Sequence, residues 1–180
     1  STNRILMIVK LNIKNKILFN YLDYLFIRNP DGTHRVTMKN DFGRLLVALV
    51  RRSPTEVPVR GDGFTARLKL PKNSCSQNAE FYHLYFTEQD AARLNVLLDT
   101  IFNLDLNAYY LKGSKRNIQK REIIEAFIVS RKLFAEDFAE TLGKRIYREQ
   151  LKDFERLVSS LYNKARYNND RIEGLEKPSE

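Results

Sequence analysis

The chain has 180 residues, 43% of them hydrophobic, and its 31 Lys and Arg against 22 Asp and Glu leave a formal charge of +9. A single cysteine excludes an internal disulfide and a cysteine-built zinc site, and with them the small secreted scaffold class. The longest apolar run, Leu45–Val50, falls far short of the roughly 20 residues of a membrane helix; Ile5–Val9, stopped by Lys10, is too short for a signal-peptide core. The expected class is a basic, soluble, cytoplasmic protein of one or two compact units.

Ile5–Ile13 alternates imperfectly and predicts a strand with one buried face, carried by Ile5, Met7, Val9, Leu11 and Ile13. In Ile17–Ile27 the stripe Leu18, Tyr21, Leu22 and Leu25 favours a helix. Asn29-Pro30-Asp31-Gly32 is a turn, because Pro presets φ and Gly accepts the positive φ at the exit. A short strand over Arg35–Met38 follows, then a helix capped by Asn40 or Asp41 and reaching Arg52. Val57–Leu70 reads as a β-hairpin turned by Gly61-Asp62-Gly63, with Phe64, Ala66, Leu68 and Leu70 on the apolar face and Thr65, Arg67 and Lys69 alternating with them. Phe81–Phe86 reads as a buried aromatic strand, and Thr87 with Asp90 as a cap for a helix through Leu94, Leu98 and Phe102. After a break at Gly113, helical patterns cover 118–133 and about 135–167. The fold class is α+β: an α+β domain with a basic hairpin over 1–111, a helical basic region over 112–167, and a frayed polar tail over 168–180.

Signals for catalysis are weak. Gly61–Ala66 fits the relaxed dinucleotide pattern, but its exit alternates like a strand, whereas pyrophosphate binding needs a helix N-terminus there. No P-loop occurs. His34 and His83 have no metal-ligand spacing, and Cys75 lacks a partner base. Glu136, Asp137 and Glu140 sit where carboxylates complement a helix dipole. Tyr147, between Arg145 and Arg148, has core spacing to Leu151. The expectation is a non-catalytic protein with no cofactor and no metal.

Charge is unevenly placed. Residues 1–78 carry +9, residues 79–111 carry −4 and residues 112–180 carry +4. Lys112, Lys115, Arg116, Lys120 and Arg121 follow one another without an acid, as a cationic linker leading into a helix. Phe138–Gly143 matches the first half of a helix-turn-helix, but the second half places Glu149 and Lys152 where apolar residues belong. The spacing of Tyr147, Leu151, Phe154, Val158, Leu161 and Ala165 favours instead one long helix through Gly143, with a heptad seam closed within the chain. Either geometry exposes Arg145, Arg148 and Lys152.

These features predict a DNA-binding accessory or regulatory protein that contacts phosphates through Arg67, Lys69, Lys115, Arg116, Lys120, Arg145 and Arg148. The partner expected is duplex DNA, because the aromatic residues follow the apolar pattern and do not interleave with the basic clusters. The alternative is a protein-interaction module using the C-terminal heptad helix, with a homodimer as one form; RNA binding or a small nuclease or strand-transfer enzyme has less support.

Overall fold

The computed structural model describes residues 7–72, 82–134, 138–146 and 148–174, with the backbone alone at 148–151, 153–155 and 158. The expectations for Cys75, Phe81, Glu136, Asp137 and Tyr147, and for the side chains of Arg148 and Leu151, concern positions outside the described residues. Among the described residues six strands and six helices run in the order β1 (Ile8–Ile13), α1 (Lys16–Leu25), β2 (Ile27–Arg28), β3 (His34–Arg35), α2 (Asp41–Leu49), β4 (Arg51–Ser53), β5 (Phe64–Lys69), β6 (His83–Tyr85), α3 (Glu88–Lys115), α4 (Lys120–Ser130), α5 (Ala139–Arg145) and α6 (Arg148–Ile172). The architecture is α+β with a C-terminal helical region.

A four-stranded mixed sheet has the order β1-β5-β3-β2, and β4 and β6 form a separate antiparallel pair that packs beside β1. β5 runs antiparallel to β1 and parallel to β3. Val9, Leu11 and Ile13 of β1 and Ala66 and Leu68 of β5 are buried together with Leu18, Tyr21 and Leu22 of α1 and Leu94, Leu98 and Phe102 of α3. One sheet face is therefore sealed by helices. The strand period of two sends the intervening residues to the opposite face.

Local chemistry fixes the helix starts. The Asn40 side chain accepts from the Gly43 N–H at 2.7 Å and donates to the Leu25 carbonyl at 3.1 Å, so it caps α2 and ties it to α1. Thr87 Oγ1 accepts from the Asp90 N–H at 3.1 Å to open α3. Asn95, buried in α3, accepts from the Lys14 N–H at 2.9 Å and donates to the Asn12 carbonyl at 2.8 Å. Its amide satisfies the end of β1 as a neighbouring strand would.

Several expectations are corrected. Val57–Leu70 is not a hairpin: β5 pairs with β1 and β3, and 56–60 carries no strand. Pro58 has no N–H to offer a ladder, while pairing on both sides of β5 satisfies its backbone and buries Ala66 and Leu68. α2 stops at Leu49, where Val50 turns extended and leads into β4. The strand expected at Arg35–Met38 is confined to His34–Arg35, and the described part of Phe81–Phe86 is half-buried or exposed rather than buried.

Lys112–Arg116 is no linker. α3 runs through Lys115, and Gly113 within it lets α4 pack close, since an added Cβ there would lie 2.6 Å from the Ile123 side chain. The chain turns afterwards at Asn117, with φ at 58°. α4 is shorter than predicted, closed by Lys132 at φ 58°. The single long helix is interrupted, not at Gly143 but at Ile146, whose backbone is extended and whose side chain is buried in the core. α6 then continues to Ile172, through residues expected to fray.

Candidate nucleic-acid interface

Strand register assembles a basic surface from residues far apart in sequence. Lys10 of β1 stands opposite Arg67 of β5, and Arg35 of β3 stands beside Lys69 of β5. Paired residues share a face, and Lys69 follows Arg67 by two positions, so all four side chains leave the sheet on the side away from the core. Their register neighbours confirm it, since His34 and Leu68, one position earlier, are buried. Lys10, Arg35 and Arg67 are exposed and Lys69 is half-buried. Directly opposed strand residues lie about 5 Å apart, a separation at which four like charges repel unless an anion joins them.

Asp31 borders the group on the β3 side. The Arg67 guanidinium donates to the Asp31 carbonyl oxygen and is thereby held against the 29–32 turn. The Asp31 carboxylate accepts from the Thr33 N–H at 2.9 Å and the Thr33 hydroxyl at 2.6 Å. These bonds hold its pKa below the ordinary carboxylate value, with Arg67 and Lys69 adding to the effect. The carboxylate thus stays ionised and offsets part of the positive charge of Arg67 and Lys69.

The remaining candidates occupy other layers. Lys115 and Arg116 are exposed at the end of α3, where Lys112 and Lys115 complement the negative end of the helix dipole. Lys120 donates from Nζ to the Gly143 carbonyl at 3.0 Å and so docks α4 on α5, and Arg121 pairs with Glu125 at 3.0 Å. Arg145 does not face solvent freely: its Nη1 reaches Asp99 and Asn103, both at 3.2 Å, and its guanidinium lies over the Phe102 ring. Arg148 opens α6. The α3–α4 junction lies about 30 Å along α3 from Asn95, the residue that meets β1, so register unites Arg67 and Lys69 but not the helical cations with them.

Sequence patterns missed Lys10 and Arg35, because each stands alone in its segment and only the pairing of β5 with both neighbours gathers them. A cavity of about 1080 Å³ lies beside this face, between β1, β6, the 56–63 loop and the first turns of α3. Its rim is balanced in charge, with Lys10, Lys14 and Arg60 against Glu56, Asp62 and Glu88. Among the described residues no three His, Cys, Asp or Glu side chains gather as a metal site, and no helix is long and apolar enough to cross a membrane.

His34 is the one buried histidine. Its Nε2 lies 2.8 Å from Asp23 Oδ1, while its buried Nδ1 has no hydrogen-bond partner. Burial lowers its pKa and outweighs the opposing pull of Asp23. The pair joins α1 to β3 on the core side of the sheet, away from the basic face. No protein-family model, no curated protein and no solved structure matches the chain.

Proposed function

We propose that the protein is a non-catalytic DNA-binding accessory or regulatory protein that grips the phosphate backbone with the outer face of its four-stranded sheet. The observation that carries this reading is the register that sets Lys10, Arg35, Arg67 and Lys69 side by side on three adjacent strands. Placing like charges together opposes folding unless a polyanion neutralises them, and Lys and Arg bound to phosphates gain affinity by releasing condensed counterions. A sheet can lie against a duplex as a helix does, so the geometry suits the groove edges of DNA. The cations of the α3–α4 junction would add a second phosphate contact, through Lys115 and Arg116.

Two charge-reversed variants test the assignment by fluorescence anisotropy with labelled random-sequence duplex. Arg35→Glu with Arg67→Glu is expected to abolish binding, while Lys115→Glu with Arg116→Glu weakens it by a smaller factor. Equal losses in both variants would remove the sheet face from its leading role. Undiminished binding in the first would overturn the site.

A further inference from the structure

Helix α6 spans 25 residues, about 37 Å, and from Arg156 to Asn169 every described side chain is exposed. Its sequence nevertheless keeps a heptad pattern throughout. Leu151, Val158, Ala165 and Ile172 fall at position a, and Phe154, Leu161 and Asn168 at position d. The seam expected to close within the chain is open where its side chains are described: Leu161 is 57% exposed and Ile172 84%. A spacing of 3.5 residues keeps a stripe on one side only against another helix that winds around it. Among the described residues no other helix of the chain covers this stretch.

We infer that α6 pairs with α6 of a second copy of this chain in a parallel, in-register two-stranded coil. Residue types suit this partner: within a parallel coil, β-branched Val158 and Ile172 at a with Leu161 at d favour two strands over three. Charge selects the same orientation. Lys164 and Arg171 lie at g, so an antiparallel pair would set this basic flank against itself. A parallel pair sets Lys164 opposite Asn169 of the second copy. It also brings exposed Leu157, at g, against exposed Tyr162, at e, which covers two further apolar side chains on each helix. Asn168 would meet its own counterpart in the seam, a polar contact that fixes register at a cost in affinity. Lys152, Arg156, Ser159, Ser160 and Asn163 fall at b, c and f and remain outside the contact.

Three heptads make a reversible dimer rather than an obligate one. Sedimentation equilibrium of the full chain, from about 1 to about 300 µM, is expected to move from 21.2 kDa toward twice that mass. Leu161→Asp should raise the dissociation constant by about 100-fold or more. Tyr167→Ala, at position c, should leave it unchanged. Because Leu161 is already exposed in the single chain, circular dichroism of Leu161→Asp should match the dilute wild-type protein. Ala165→Cys in a Cys75→Ser background should form an interchain disulfide on oxidation, since parallel pairing sets residue 165 against itself. A monomeric mass across the whole range, or a dimer indifferent to Leu161→Asp, would overturn the pairing; a dimer in which Ala165→Cys fails to cross-link would overturn its parallel register.

Discussion

Arg131 meets the Asp105 carboxylate edge to edge, Nε to Oδ2 at 2.8 Å and Nη2 to Oδ1 at 2.7 Å. The same carboxylate accepts from the Tyr21 hydroxyl at 2.7 Å. The guanidinium is boxed by Tyr24, Tyr109 and Phe127, whose ring centres lie 4.7, 5.0 and 5.1 Å away. One acid thus joins α1, α3 and the C-terminal cap of α4, linking the sheet-bearing part to the helical part. The hydrogen bonds to Asp105 raise the Arg131 pKa against the opposing effect of burial. Among cations of a strongly basic chain, Arg131 is therefore a structural one.

Removing Asp105 leaves a largely buried cation and a buried hydroxyl without their acceptor. Asp105→Ala is expected to destabilise the fold by about 3 kcal/mol, the scale for breaking a buried pair from one side. Urea unfolding monitored by circular dichroism measures it. A loss of less than about 1 kcal/mol, the level of exposed pairs, would show that the clamp holds nothing together.

Burial, and then the bond to Asp105, raises the Tyr21 pKa well above its ordinary value of 10.0. The folded chain therefore keeps a proton that the unfolded chain releases. This contribution to stability is complete below pH 10 and is lost as pH rises above it, at up to about 1.4 kcal/mol per pH unit. Comparing unfolding of wild type and Tyr21→Phe between about pH 9 and about pH 11 isolates the effect from other groups. The wild-type curve should fall more steeply. Parallel curves would contradict the buried, protonated phenol.

His34 predicts the acid limb by the opposite sign. Its folded pKa lies below the ordinary 6.5, so the unfolded chain takes up the proton first as pH falls. The contribution is present in full above about pH 6.5 and is eroded below it. His34→Leu should flatten stability between about pH 6.5 and about pH 5 relative to wild type. An unchanged slope in that window would show that His34 does not couple protonation to folding.

Gly43 tests how closely α2 approaches the preceding loop. A Cβ there would lie 1.9 Å from the Thr37 carbonyl oxygen, a backbone atom that a side-chain rotation cannot move. Alanine is ordinarily favoured over glycine in a helix by about 1 kcal/mol. Here Gly43→Ala is expected to destabilise instead, by about 2 kcal/mol or more. A rise in the unfolding midpoint would contradict the packing of α2 on Thr37.

Short-range chemistry was the part of this fold that could be read from residues. The alternation that buries Val9, Leu11 and Ile13 and the caps at Asn40 and Thr87 each depend on neighbours within a turn or two. What escaped depends on distant partners. β5 looked like half of a hairpin because alternation reports which residues point inward, not which strand pairs alongside. Arg145 looked like a surface cation because its partner Asp99 lies 46 residues earlier. Lys10 and Arg35 carried no signal of their own, and they joined Arg67 and Lys69 only through strand register.

The proposed phosphate contacts of the outer sheet face are read from the salt dependence of duplex binding. Anisotropy titrations on labelled duplex DNA across salt should give a log–log slope for the wild-type chain that is steeper, by roughly 3.5, than that of a variant with Lys10, Arg35, Arg67 and Lys69 all changed to Gln, at about 0.9 per lost phosphate contact. The same slope in both proteins, or no duplex binding by the wild-type chain even at low salt, would contradict those contacts.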